Sequence, residues 1–389
     1  MKRRPYRLRL IIAIILVGAL LSGCGLSGGV AANHRALDKI RLVRTLGYDS
    51  AGGAVTLSAS SGKQGEDGEI LLLRRSGDSI FYAMDSLQDY STQGQLFFSH
   101  TQYIVLGRET AEAGIGPLLD FVERDVQMRL GTELFVLKNS DADTLVLGNG
   151  DDSYDVTEVL TSAKQDIVQR AASHVSTVRE TAVALSEQGA ALVCLLRAVE
   201  TEGSVKLEEN GLTAVPDGFG ILKEGKLVGA LDQEQAEAVT LLLGHPGTVS
   251  RTFSLPGGGE ITMQFDRLDG GVEASWNEDG TPGPVRVSLK VRAAVAGTDG
   301  GDDGPGPETL TAALEQSLED DLSEALALSK TLNADFLAVG KQLRLSGGER
   351  YQALPADWLE RMEFSVSAEA VIGRSFDLSA PAGADGGNT

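Results

Sequence analysis

The first 24 residues constrain this chain most, because they decide which part of it can fold and in which compartment. Five basic residues lie between positions 2 and 9, and an apolar run of 12 residues, 10–21, follows them. A helix needs about 20 apolar residues to cross a bilayer, so this run predicts a cleavable export signal rather than a permanent span. Residues 1–23 are therefore a predicted signal peptide that takes no part in the mature fold.

The signal ends in a lipobox, Leu21-Ser22-Gly23-Cys24. Lipoprotein processing in bacteria requires a cysteine at the first mature position, where diacylglycerol alkylates the thiol, and small residues just before it. Cys24 is therefore the predicted lipid attachment site, and the glycine-rich residues 24–35 are its predicted tether. Two acyl chains hold a protein stably on a membrane, whereas one binds marginally.

Charge excludes one class of partner. Removal of residues 1–23 takes away five basic and no acidic residues, which leaves 29 Lys and Arg against 55 Asp and Glu, a formal net charge of −26. Binding to phosphate backbones depends on clustered positive charge, and the chain has no basic stripe, so nucleic acid is not an expected partner. An anionic lipid surface would also repel the body, so we expect the covalent lipid at Cys24 to hold it there.

Cysteine usage excludes an intrachain disulfide. With Cys24 alkylated, Cys194 is the only other cysteine, and it lies in the apolar run 191–196. A cysteine in such a run is typically a small core residue rather than a nucleophile or a ligand.

Length and composition predict an α+β protein of three domains, in which mixed or antiparallel sheets are packed by helices. The predicted parts are an N-terminal α/β-type domain with a helical extension (36–200), a middle hairpin and helix domain (201–247), a C-terminal domain of an antiparallel sheet and an amphipathic helix (248–375), and a flexible tail (376–389). In the first domain, the order strand, helix, strand suggests an α/β or α+β unit, whose parallel pairing is a hypothesis. A helix from Thr110 would bury Val126 and Met128, and residues 156–197 are predicted to be helical.

Local signals mark the later elements. Glycine in Lys223-Glu224-Gly225-Lys226 predicts a tight hairpin turn, and Asp232 with Gln235 resembles a capping box that opens a helix over 233–243. Strands are expected at 249–255, 260–265, 271–276, 286–294 and 362–370. Pro307 begins a helix with a leucine stripe on one face, while acidic residues, Glu315 and Glu319 among them, load the other faces.

Three segments match known motifs but are not expected to have the function that each motif usually indicates. Gly25-Leu26-Ser27-Gly28-Gly29 fits the serine-hydrolase elbow, but it follows the lipid anchor directly. Residues 220–226 resemble a phosphate-binding loop until Leu227 stands where a magnesium-binding hydroxyl belongs, so the hairpin is preferred. Asp299, Asp302 and Asp303 do not have EF-hand spacing, which favours a solvated linker.

No local catalytic, cofactor or metal site is predicted. The four histidines, His34, His100, His174 and His245, lie far apart in the sequence, and there is no His-Glu-x-x-His, Cys-x-x-Cys or dinucleotide-binding glycine motif. Clustering in three dimensions stays open at this point. We therefore expect no enzyme activity and no cofactor other than the lipid.

Residues 99–129 resemble a known family signature. Ser99-His100-Thr101 opens an apolar strand, Gly107-Arg108-Glu109 and Ala111-Glu112-Ala113-Gly114-Ile115 follow, and Asp120-Phe121, Arg124-Asp125 and Arg129 continue it. This order resembles the N-terminal signature of the Ger(x)C (GerAC-like) family, the C-subunit lipoproteins of spore germinant receptors.

Three further segments are similar to that family in the same order. They are the helix start 77–83, the hairpin 218–229, and Asp335-x-x-x-x-Gly340 followed by Pro355-x-x-Trp358. The glycine-rich residues 297–306 depart from the pattern.

The resemblance implies a three-domain lipoprotein on the outer face of the inner (cytoplasmic) membrane of the spore. It would act with germinant receptor A and B subunits as a non-catalytic subunit in endospore germination. One alternative is a solute-binding or germinant-sensing lipoprotein, which would usually show two similar α/β lobes. Another is a cell-wall or cortex enzyme, which would show acidic residues of raised pKa clustered in a cleft.

Overall fold

A computed structural model describes residues 40–63, 69–89, 91, 94–148, 150, 154–200, 212–254, 259–299 and 306–372. The signal peptide, Cys24 and its tether, His34, the Gly25–Gly29 motif, Asp302, Asp303 and the tail 376–389 lie outside these residues. Within the described part of the chain, no helix has both the length and the apolar character needed to span a bilayer.

An eight-stranded mixed sheet forms the larger part of the fold, in the order β10-β9-β8-β7-β6-β2-β3-β4. Strands β2, β6, β7 and β8 pair in parallel, which confirms the parallel hypothesis, while β3, β4, β9 and β10 extend the sheet antiparallel at its two ends. The strands are β2 (Thr45–Ala51), β3 (Ala54–Ser60), β4 (Leu72–Gly77), β6 (Tyr103–Leu106), β7 (Glu133–Leu137), β8 (Ala190–Glu200), β9 (Leu212–Lys223) and β10 (Lys226–Leu231). A short parallel pair, β1 (Ile40–Leu42) and β5 (Gln95–Phe97), stands apart from it.

Both faces of this sheet are covered, because successive side chains of a strand point to opposite faces. Ile104 and Leu106 join one core, and Val105 joins the other. The first core is closed by α1 (Ile80–Asp89), α2 (Arg108–Ala113), α3 (Gly116–Arg124) and α6 (Val178–Gln188), and the second by α4 (Ala142–Leu147) and α5 (Val156–Arg170).

The helical prediction for residues 156–197 is wrong at 171–177, which separate α5 from α6, and over the last nine residues, 189–197. Gly189, at φ +72°, ends α6 in a left-handed cap, and the chain continues as β8. Because β8 is buried on both faces, its sequence lacks the alternation that marks a half-exposed strand, and so it resembles a buried helix. Cys194 is fully buried on this strand, 3.1 Å from the hydroxyl of Ser173, and burial raises the pKa of its thiol to about 12.

The single helix expected from Thr110 is two helices, α2 and α3, separated at Gly114, which has φ +130°. Helix α3 ends at Arg124, so Val126 lies beyond it and is 96% exposed, contrary to prediction. Met128 is buried as expected.

The predicted turn 223–226 joins β9 to β10 with positive φ at Glu224 (50°) and Gly225 (78°), which confirms the hairpin. Its strands continue the first sheet through β8, so this sheet crosses the proposed boundary at residue 201, and the three-domain division stays a prediction. The capping box of Asp232 and Gln235 is present at the start of α7 (Gln233–Leu242).

A four-stranded sheet, in the order β11-β12-β13-β14, forms the C-terminal part. Its strands are β11 (Val249–Ser254), β12 (Glu260–Glu273), β13 (Val285–Asp299) and β14 (Phe364–Ile372). The two strands expected at 260–276 are one long strand, β12, with irregular pairing near Asp269. Strand β14 pairs parallel to β13, so the sheet is mixed rather than wholly antiparallel.

Helix α8 (Pro307–Leu332) covers this sheet with its predicted leucine stripe, from Leu310 to Leu326, fully packed. Two short helices, α9 (Val339–Gly347) and α10 (Glu349–Gln352), lie between α8 and β14. The α+β class is confirmed.

Candidate functional site

A cleft of about 810 Å³ opens at the carboxyl end of β2, and we call it the β2 cleft. Ligands of open α/β sheets characteristically bind outside the carboxyl ends of the strands. The cleft is lined by Tyr48, the β2–β3 hairpin (50–55), the start of α1 (78–81), Ala113 and Gly114 at the end of α2, and Pro117, Asp120, Phe121, Arg124 and Asp125 of α3 and its C-cap. Seven of these residues, from Ala113 to Asp125, lie within the 99–129 signature.

The neighbouring residue Asp49 fixes this end of the sheet. Its carboxylate accepts hydrogen bonds from the backbone amides of Ala142 (2.9 Å) and Asp143 (3.0 Å), at the start of α4. Burial raises the pKa of Asp49, and these two amide donors oppose that rise. A Cβ atom at Gly107 would lie 2.3 Å from the carboxylate, so the glycine after β6 is required by close approach.

The mouth of the β2 cleft combines exposed aromatic rings with carboxylates. Phe81 lines the cleft and is 66% exposed. Tyr82, next to it and outside the lining, is 65% exposed, and its ring meets that of Phe81 edge to face with centroids 6.1 Å apart. Asp78, Asp120 and Asp125 line the cleft with one cation, Arg124, whose Nε donates to Asp120 at 2.7 Å. That contact raises the pKa of Arg124.

A second cavity, of about 660 Å³, is lined by both tryptophans of the chain, Trp276 and Trp358, and we call it the tryptophan pocket. Two residues of the Asp335-x-x-x-x-Gly340 and Pro355-x-x-Trp358 pattern, Pro355 and Trp358, line it. Asp335 accepts from the amides of Val339 (2.9 Å) and Gly340 (2.7 Å) and so caps α9. A Cβ at Gly340 would lie 3.0 Å from the ring of Trp358, which explains the glycine.

Two histidines that lie far apart in the sequence, His174 and His245, are in contact in the structure. The rings of His174 and His245 stack with centroids 3.6 Å apart and planes 8° from parallel. They line a small cavity of about 290 Å³ together with Glu180. Burial lowers the pKa of both, and that of His245 falls to about 4. No sequence signal could have found this pair, because the two residues follow different helices.

The remaining candidate residues that the structure describes do not form a catalytic or metal-binding group. His100 packs its ring near Phe97 at the end of a short 3-10 helix, and it has no histidine partner among the described residues. Within the described ranges, no group of three or more His, Cys, Asp and Glu residues is arranged to hold a metal ion.

Two family models match this chain in sequence order. The spore germination protein N-terminal domain matches residues 33–197, and the spore germination B3/GerAC-like C-terminal domain matches residues 217–375. Between them they span most of the 389 residues. The chain therefore belongs to the GerAC-like family of spore germination proteins.

A solved structure agrees with the fold. The crystal structure of the GerBC protein superposes with a TM-score of 0.54 at 16% sequence identity, and the match covers 84% of this chain and 96% of that one. At this identity the likeness concerns the fold alone. No curated protein matches the chain.

Proposed function

We propose that this chain is a non-catalytic, lipid-anchored subunit of a nutrient germinant receptor, and that it acts in endospore germination with A and B subunits. The observation that carries the proposal is the ordered match of both GerAC-like domains over most of the chain. The lipobox supports lipid attachment at Cys24. The family resemblance implies a lipoprotein on the outer face of the inner membrane of the spore, and we propose the same location for this chain.

We propose that the chain binds other subunits of the receptor and does not catalyse a reaction. The 99–129 signature lines an open surface cleft whose exposed groups are aromatic rings and carboxylates. Exposed apolar groups rimmed by charge are typical of interaction surfaces. A lipid at Cys24 would raise the local concentration of this surface near membrane-bound partners.

Purification of the tagged chain from spore membranes tests the assembly. We expect A and B subunits of a germinant receptor to copurify with it. Spores that lack the chain should form normally, respond poorly to the nutrients of that receptor, and still germinate with agents that bypass it. Deletion spores that respond to every nutrient like the wild type would contradict the proposal.

A further inference from the structure

We infer that the β2 cleft binds a segment of a partner protein that presents an apolar side chain flanked by lysine or arginine. The identity of that partner as a receptor subunit rests on the proposed function, whereas the chemistry of the segment rests on the cleft alone.

The aromatic rings at the mouth are not explained by the fold. Helix α1 buries Ile80, Ala83 and Leu87, which lie on one face of the helix at spacings of three and four residues. Phe81 and Tyr82 lie off that face and contribute little to the core. Aromatic residues also have lower helix propensity than alanine or lysine, so local stability does not favour them here.

Their position fits a docking surface. Phe81 lines the same cleft as Phe121 and Pro117, and Val126 is 96% exposed directly after the lining residue Asp125. A few residues, aromatic side chains among them, supply most of the binding energy in protein interfaces, and they lie in pockets that the partner fully desolvates. The cleft therefore predicts an apolar anchor residue on the segment that fills it.

The carboxylates in the lining of the β2 cleft predict that the bound segment is positively charged. Three carboxylates face one guanidinium in the lining, and Arg124 already pairs with Asp120. The carboxylate of Asp125 accepts a hydrogen bond from the backbone amide of Gln127, at 2.8 Å. Neither Asp125 nor Asp78 has an ion-pair partner among the described residues. A lysine or arginine beside the apolar anchor would meet a carboxylate and an aromatic face together, and both of these groups attract a cation.

Other occupants fit less well. A second copy of the chain carries a formal net charge of −21, or −26 without residues 1–23, and an anionic lipid surface is negative as well, so the acidic mouth repels both. A small ligand is usually enclosed over 70–90% of its surface, whereas Phe81 at this mouth is itself two-thirds exposed.

Photo-crosslinking in sporulating cells tests the occupant directly. A benzophenone amino acid replaces Phe81 in the full-length chain, and the same group at Val168, which is 46% exposed on α5 at the opposite face of the sheet, is the control. We expect the Phe81 position to capture a protein segment that peptide mass spectrometry identifies as apolar with excess lysine or arginine.

Several results would overturn the inference: capture of a second copy, of a lipid, of a small molecule or of an acidic segment, or no capture above the Val168 control. Copurification is scored separately. If receptor subunits copurify but nothing is captured at Phe81, the inference about the β2 cleft is wrong and the proposed function stands. If a basic apolar segment is captured from a protein outside the receptor, the proposed function is wrong and the inference about the cleft stands.

Substitutions at two exposed cleft residues make the test quantitative. The captured segment is made as a synthetic peptide, and its affinity for each variant is measured. By fluorescence anisotropy we expect Phe81→Ala to weaken binding roughly tenfold, as for an interface anchor. Asp78→Lys should weaken it roughly threefold or more, with a larger effect at low salt. Glu360→Lys, an exposed charge reversal on the segment before β14, should leave affinity within twofold. Unchanged affinity in both cleft variants, with thermal unfolding like that of the parent chain, would refute the inference.

Discussion

The carboxylate of Glu315 accepts a hydrogen bond from the backbone amide of Ala370, at 2.8 Å. Four residues further along α8, Glu319 accepts from the amide of Ala368 at 3.0 Å. Strand β14 is the last strand of its sheet, so these amides belong to an edge that another chain could pair with. The two glutamates, predicted as members of a charged face, therefore close a sheet edge.

Removal of both carboxylates should expose that edge. We expect Glu315→Ala with Glu319→Ala to lower the free energy of unfolding by about 1–2 kcal/mol, since each substitution loses a charge-assisted bond to a part-buried amide. Self-association should increase, measured by urea unfolding and by light scattering. Asp320→Ala, which removes only an exposed partner of Gln316, is the matched control and should change stability by less than about 0.5 kcal/mol. Equal behaviour of the two variants would contradict the edge role.

Arg251 holds a buried charge cluster between β11, α7 and α8. Its guanidinium is bonded to Asp321 at 2.5 Å and lies 3.4 Å from Glu237, and all three residues are buried. Burial raises the pKa of both carboxyl groups, and Arg251 opposes that rise. Arg251→Met should cost about 3–5 kcal/mol at pH 7, because two buried carboxylates lose their cation.

The deficit of Arg251→Met should shrink as the pH falls towards 5, since protonation neutralises the carboxylates that lack a partner. Urea unfolding at pH 7 and pH 5 measures this change. A deficit below about 1 kcal/mol, or one that grows in acid, would count against the cluster.

The stacked histidines should make stability fall in mild acid. Both pKa values are lowered in the fold, so the folded state prefers neutral rings, and the stabilisation is present above the unfolded pKa of about 6.5. It is lost as the pH falls from about 6.5 towards 4. Allowing for the partial exposure of His245, we expect a loss of about 1–2 kcal/mol.

His245→Phe keeps an aromatic ring on His174 and removes one titrating group. We expect thermal unfolding of this variant to depend less on pH between 6.5 and 4 than that of the parent chain. His100→Phe, outside the pair, is the matched control for the removal of one histidine. A parallel profile for His245→Phe and the parent would show that this pair does not control the acid response.

The hairpin turn should tolerate substitution at one position and not at the next. Gly225→Val places a β-branched residue at φ 78° and should cost about 1 kcal/mol or more. Glu224→Asn, at φ 50°, should be neutral or slightly stabilising, because asparagine followed by glycine is the favoured pair for this turn. Chemical denaturation compares the two. Measurable ATP binding by the chain would revive the phosphate-loop alternative for residues 220–226.

Cys24→Ala should abolish lipidation and leave the precursor uncleaved, because the modified sulfur is part of the substrate of the lipoprotein peptidase. Metabolic labelling with a fatty-acid probe measures this in cells. Ser22→Ala, which keeps a small residue before the cysteine, should still be labelled. Equal label in Cys24→Ala and the parent chain would refute the anchor.

Local interactions could be predicted from the sequence because their partners lie within a few residues. The turn at Glu224 and Gly225, the capping box of Asp232 and Gln235, and the leucine stripe of α8 are all of this kind. Family membership was also predictable, since the signature over 99–129 and the later motifs keep their order along the chain.

Long-range placement was decided only by the tertiary structure. The sequence of β8 predicts a helix because burial on both faces removes the alternation that distinguishes a strand. His174 meets His245, and Glu315 meets Ala370, through packing between elements distant in sequence, and no local pattern encodes such a meeting. The β2 cleft depends on the same long-range packing, because a hairpin, the start of α1 and the turn into α3 are brought together only when the sheet forms.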